Sequence, residues 1–229
     1  MIENLFFDFG GTLDTHGIHW FDMFANAYIS LLPESDKHGV WDAYVAVERR
    51  LERENVIQPD DNLLTTLRKK MTLHATLLGI DNARLEATLE RLYAVVLQRL
   101  EASRKMLERL RMAYSNIAVV SNYYGNLSAI LRETGILPLV DIVADSTCVG
   151  ARKPDVRIYQ YALEKIGGVP ERTVMVGDSL KNDIHPCQQL GMQTIWLNPS
   201  DTQQLPLPQA TASTWQHVEQ LLTGAAENK

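Results

Sequence analysis

With 229 residues, 45% hydrophobic and 22% charged, the chain can bury a sizeable core without disulfides and has too little compositional bias for wholesale disorder. Its 22 Lys+Arg against 28 Asp+Glu leave a formal net charge of −6, which excludes a general nucleic-acid binder built on a basic face. Two cysteines, Cys148 and Cys187, suit buried or half-buried free thiols in a reducing cytosol rather than a disulfide framework.

The N-terminus runs straight into an apolar stretch at 5–9, without the basic segment and cleavage site of a signal peptide. No uninterrupted apolar run approaches the ~20 residues of a membrane span, so a cytoplasmic protein is expected. From Gly17 to about Arg111 helical periodicity takes over. Phe21, Phe24, Ala25, Tyr28 and Leu31 step at three and four residues, and Trp41, Tyr44, Val45 and Leu51 do likewise. Stretches 63–78 and 85–110 are amphipathic, with Pro33, Gly39, Pro59, Gly79 and Asp81 as punctuation. The charge-rich segment 47–54 reads as a solvated helix face. Beyond it, short apolar runs at 117–120, 140–144, 173–176 and 194–197 alternate with helix-like stretches at 126–134, 156–166 and 183–190. A weaker strand at 210–213 precedes a helix at 215–222. Continuous apolar runs suit strands buried on both faces, and the alternation predicts a doubly wound, Rossmann-like α/β parallel sheet. The expected division is a core of 1–16 and 112–229 with an all-helical insert, 17–111, over the crevice where such sheets bind ligands.

Four polar motifs follow four of these strands. Asp8-Phe9-Gly10-Gly11-Thr12-Leu13 sets a carboxylate beside paired glycines, suited to a nucleophile or a metal ligand at a tight turn. Ser121 and Asn122 offer a hydroxyl and an amide to an anionic oxygen. Lys153-Pro154-Asp155 supplies a fixed cation near a helix start. Gly177-Asp178-Ser179-Leu180-Lys181-Asn182-Asp183 carries two acids in one loop, which suits octahedral Mg²⁺. Singly, each is ordinary turn or cap chemistry. Their joint order, each after a buried strand, is what points to a site.

In that order the motifs resemble those of the haloacid dehalogenase superfamily, in the subgroup with a helical cap after the first strand, from residue 5 to about 197. The resemblance implies a hydrolase, foremost a Mg²⁺-dependent phosphatase acting on a small phosphorylated metabolite. By position, Asp8 resembles the nucleophile that becomes an aspartyl-phosphate. Ser121 resembles the hydroxyl that binds the transferring phosphoryl oxygen, with Asn122 and Gly11 also expected at the substrate, and Lys153 the cation that orients Asp8 and offsets phosphate charge. Asp178 and Asp183 resemble Mg²⁺ ligands, completed by Asp8 and the Gly10 carbonyl. Phosphoryl transfer needs such neutralisation of the equatorial oxygens. Neither a nucleic acid nor a membrane is expected as a partner, and monomer and homodimer both stay open.

The sequence departs from the family pattern at Gly10. The family's phosphatases carry there a second aspartate, which protonates the leaving oxygen and then activates water, help worth about 10²–10⁴-fold. Three readings follow. A slow or selective phosphatase needs a good leaving group, or borrows an acid from His16, His19 or Asp14; the alternative is ordinary hinge histidines and a solvent-facing loop acid. A C–halogen or C–P hydrolase is the second, the latter drawing a cap lysine from Lys37, Lys69 or Lys70. The third is a degenerate binding protein, with Asp8 trapped as its phosphate. Trp20, Phe21 and Trp41 are candidates to line a pocket under the insert, against a plain role in its core.

Overall fold

Alternating side chains decide how the first strand, β1 (Asn4–Phe7), is buried. Leu5 and Phe7 enter one apolar cluster and Phe6 another, on opposite faces of the sheet. Each such burial contributes about 1.5–3 kcal/mol. The computed structural model describes residues 2–29, 31–32, 37–197 and 209–227. Among these, β2 (Asn116–Ser121), β3 (Ile142–Asp145), β4 (Thr173–Gly177), β5 (Gln193–Leu197) and β6 (Ala210–Ala212) complete one parallel sheet in the order β3-β2-β1-β4-β5-β6. β1 pairs with β2 on one edge and β4 on the other, so the order reverses beside it and opens a crevice at the strands' carboxyl ends.

Four helices lie between β1 and β2 among the described residues: α1 (Trp20–Tyr28), α2 (Lys37–Arg53), α3 (Leu63–Leu78) and α4 (Asn82–Leu110). Their start and stop signals are local. Asn62 and Asp81 accept from the first-turn N–H groups of α3 and α4, and Gly79 closes α3 in the left-handed region at φ 67°. Gly39, expected as punctuation, falls inside α2 instead. Phe24, Met71, Leu89 and Val96 are buried in the cluster that also holds Leu5 and Phe7, so insert and sheet share one core. The second half of α4 belongs to the sheet side: Ser103 Oγ donates to Leu13 O at 2.7 Å, and Arg99 Nη1 to Thr15 O at 2.6 Å.

The remaining helices are α5 (Leu127–Glu133), α6 (Ser146–Val149), α7 (Arg157–Ile166), α8 (His185–Gln189) and α9 (Trp215–Glu227). α7 covers the face that carries Phe6, while α5 and α9 cover the other. Several boundaries differ from expectation, three of them near the site or the chain's last helix. β1 stops at Phe7 because the Gly10–Gly11 turn follows, with Gly11 at φ 97°. Residues 183–190 split into a tight turn, Leu180–Ile184, and the short α8. α9 runs past 222 to Glu227. Cys187 is buried, but Cys148 is exposed on α6 rather than half-buried. No helix among the described residues is long and apolar enough to cross a membrane.

Candidate active site

The Asp8 N–H donates to Val176 O of β4 at 2.9 Å, which fixes the residue at the point where the strand order reverses. Its carboxylate is buried. Oδ1 accepts from Lys153 Nζ at 2.6 Å and Ser121 Oγ at 3.1 Å, and Oδ2 accepts from Thr12 Oγ1 at 3.3 Å. Lys153 Nζ also donates to Asp183 Oδ1 at 2.6 Å. Burial works against that ammonium, but Asp183 and Asp8 outweigh it and hold Lys153 above its ordinary range.

Both acids of the β4 loop come to the same place. Burial pushes Asp183 up to about 6, against the pull of Lys153, and its Oδ2 accepts from Ser179 N at 3.1 Å. Burial, then Asp8 and Asp183, push Asp178 well above the carboxylate range. Oxygens of Asp8, Asp178 and Asp183 lie within 4.8 Å of one another. Three acids thus crowd one ammonium where ionisation of Asp178 and Asp183 is opposed, an arrangement that fits a hard divalent cation. Two glycines make room for it. A Cβ at Gly11 would lie 2.6 Å from Asp178 Cγ, and one at Gly177 would lie 2.5 Å from Asp183 Cγ.

Two residues expected at the substrate have other attachments. Asn122 grips the Lys153 peptide, accepting from its N–H at 2.8 Å and donating to its carbonyl at 3.0 Å, so it positions Lys153 while lining the cavity. The Gly11 N–H donates to Asp14 Oδ1 at 2.8 Å and is unavailable to an anion. Trp196 of β5 donates from Nε1 to Asp178 O at 2.9 Å and anchors the loop after β4.

Over this floor is a cavity of about 240 Å³, lined from the insert by His19, Trp20, Tyr44, Glu48 and Lys70. Lys70 is buried. Its Nζ lies 2.7 Å from Glu48 Oε1, donates to Tyr124 Oη at 3.0 Å, and sits within 5.8 Å of the ring centres of Trp20, Phe24 and Tyr124. The Tyr124 hydroxyl in turn donates to Glu48. Burial opposes both charges, yet their attraction wins: Glu48 is held below and Lys70 above its ordinary value. Glu48 therefore corrects the reading of 47–54 as a wholly solvated face. Of the other candidate lysines, Lys69 pairs with Asp61 at 2.5 Å, and the Lys37 side chain lies outside the described residues. Phe21 and Trp41 pack edge to face at 4.8 Å and do not line the cavity, whereas Trp20 does.

The three candidate replacement acids separate clearly. His16 stacks on Trp215 at 4.7 Å with Nε2 2.9 Å from Ser103 Oγ, away from the cavity; burial and then Arg99 lower it to about 4. His19 lines the cavity, but its Nδ1 caps α1 by accepting from Phe21 N at 3.1 Å, and burial lowers its pKa. Asp14 is fully buried, not solvent-facing, and its Oδ2 accepts from Trp20 Nε1 at 2.8 Å. Burial raises its carboxyl from 3.8 to about 7. The folded chain therefore holds this proton more tightly than the unfolded one. The resulting stabilisation is full below about pH 4 and is lost as pH rises through about 7, by up to about 1.4 kcal/mol per pH unit. Urea unfolding at saturating Mg²⁺, from about pH 5 to 8, is expected to show that fall, and Asp14→Asn to remove it. Equal slopes for the two proteins would contradict the assignment.

The chain matches the haloacid dehalogenase-like hydrolase family over residues 2–191. It belongs to that family. Among relatives of this haloacid dehalogenase-like hydrolase, the pyrimidine 5'-nucleotidase YjjG of Escherichia coli is 34% identical over 116 residues, 47% of this chain and 50% of that protein. A glyceraldehyde 3-phosphate phosphatase of Methanothermobacter thermautotrophicus is 41% identical over 73 residues, 32% of each. The chain thus matches half or less of the length of either relative. In three dimensions it resembles magnesium-bound YfnB of Bacillus subtilis, at TM-score 0.64 and 22% identity over 96% of this chain and 98% of that one. It also resembles the L-2-haloacid dehalogenase of Xanthobacter autotrophicus, at TM-score 0.61 and 14% identity over 99% and 100%. At these identities the two structures speak for the fold alone.

Proposed function

We propose that this hydrolase is a Mg²⁺-dependent phosphatase of a small phosphorylated metabolite, working through an aspartyl-phosphate at Asp8. The observation that carries the reading is the cluster of Asp8, Asp178 and Asp183 around Lys153, three acids to one ammonium, which suits a metal cation. Relatives named for phosphatase and nucleotidase activity support it. Mg²⁺ held by Asp8, Asp178, Asp183 and the Gly10 carbonyl would offset charge on the carboxylates and the phosphoryl oxygens. Lys153 and Ser121 hold the Asp8 carboxyl in place, and Ser121 Oγ is placed to bind a phosphoryl oxygen. We take 17–111 as a cap over a core of 1–16 and 112–229, with the cytoplasm as the setting that suits two free thiols.

The paired loop acids Asp178 and Asp183 weigh against a C–halogen hydrolase. The Lys70–Glu48 pair weighs against a C–P hydrolase, because it keeps the amine protonated and poor as a nucleophile. Hydrolysis of an aryl phosphate tests the proposal. Turnover is expected to require Mg²⁺ and to fall to background in Asp8→Asn, so equal rates in EDTA or in the variant would refute it.

A further inference from the structure

Gly10 leaves a place that another side chain has taken. Its φ of −75° and ψ of 115° suit any residue, and a Cβ built there would meet Trp20 Cδ1 and Nε1, each at 3.7 Å. The indole edge therefore stands over the position, with its N–H turned to Asp14 and away from the reacting centre. Asp14, the nearest spare acid in the loop, is screened by that indole and does not line the cavity.

Several of the cavity's other polar groups are committed. Lys70 donates to Tyr124 and is paired with Glu48, Tyr124 donates to Glu48, and Lys153 is shared between Asp8 and Asp183. His19 spends the lone pair of Nδ1 on its helix cap, which leaves the neutral ring without an acidic proton at neutral pH. What the insert offers a departing group is the Lys70–Glu48 ion pair, already neutral as a whole and held among aromatic rings.

We infer that the leaving group departs unprotonated, so that the substrates are phosphoryl donors with an acidic leaving group, of the acyl phosphate or phosphoanhydride type. Alkyl phosphates of sugars and alcohols are disfavoured. This rests on the phosphatase reading. An Asp8 oxygen bonds to phosphorus as the bond from phosphorus to the leaving oxygen breaks. That oxygen keeps the electron pair and leaves as an anion. Water then attacks phosphorus, the bond to Asp8 breaks and restores the carboxylate, and the proton shed by the water goes to the departing phosphate.

Phosphate release from acetyl phosphate, pyrophosphate and glycerol 3-phosphate, in wild type and Gly10→Asp with Mg²⁺, tests the inference. Wild-type kcat/KM is expected to be about 10²–10⁴-fold higher for at least one acidic donor than for the alkyl ester, the span a general acid otherwise covers. Which of the two acidic donors responds tells the acyl phosphate and phosphoanhydride types apart. Gly10→Asp, whose Cβ meets Trp20 only at van der Waals distance, should shrink that ratio by tenfold or more. A wild-type ratio near one, or a ratio unmoved by Gly10→Asp, overturns the leaving-group inference and leaves the phosphatase reading standing. No release from any donor overturns both.

Discussion

Lys153→Met is expected to lose turnover and, in EDTA, to lose most of its margin of stability. The ammonium sits 2.6 Å from oxygens of both Asp8 and Asp183 and is almost wholly buried with them. Methionine has similar length but no charge, so the three carboxylates would be left facing one another. Breaking a buried pair by removing one partner costs about 3–5 kcal/mol, a large share of a domain's stability. Added Mg²⁺ should restore much of that, because a divalent cation supplies the missing positive charge. Activity should stay down by about 10²–10³-fold even then, since a fixed donor at the site of charge development is gone. Urea unfolding with and without Mg²⁺, beside steady-state rates, reads both effects. A variant as stable as wild type in EDTA would mean that this lysine does not offset the repulsion between the carboxylates.

Gly11→Ala and Gly10→Ala, one residue apart, should behave in opposite ways. At Gly11 a methyl group has two faults: the backbone is left-handed, at φ 97°, and the Cβ would lie 2.6 Å from Asp178 Cγ. The backbone alone costs about 1–2 kcal/mol. The heavier consequence is that Asp178 must move, and a displaced ligand carboxylate weakens metal affinity by about 10–100-fold, as loss of second-shell support typically does. At Gly10 the backbone is ordinary and a Cβ finds van der Waals distances, so the fold should change by no more than about 0.5 kcal/mol. Calorimetric titration with Mg²⁺ should separate the pair. Equal affinities would show that the Asp178 loop yields without penalty.

The core was readable in the sequence because parallel strands covered on both faces are written as short continuous apolar runs. The floor of the site was readable because strand ends place polar residues where the chain turns. Partners across the fold were not readable. Asn122 looks like an anion ligand until the Lys153 peptide, 31 residues later, is seen to occupy both ends of its amide. Asp14 looks solvated because nothing local announces that Trp20 closes over it. The roof was the least legible part, yet it carried a signal. Lys70 falls on the buried stripe of α3 with Leu63, Thr66, Leu67 and His74, where a charged residue has to find a partner. Glu48 stands four residues from Tyr44 on α2, and its charge-rich surroundings hid that facing.

The length of α4 has a mechanical consequence. Its 29 residues make a rod of about 44 Å. Near its carboxyl end Ser103 is bonded to the Asp8 loop at Leu13, and Met106, Leu107 and Leu110 are buried in the shared core. Its amino end carries Leu85 and Leu89 within the packing of the insert. Such a rod, fixed at one end, acts as a lever: a tilt of about 5° at its seat sweeps the far tip by roughly 4 Å over that length. A displacement beside Leu13, about 10 Å from the seat at Leu110, is thus enlarged about fourfold at the other end, which ties the travel of the roof to the posture of the loop that holds Asp8.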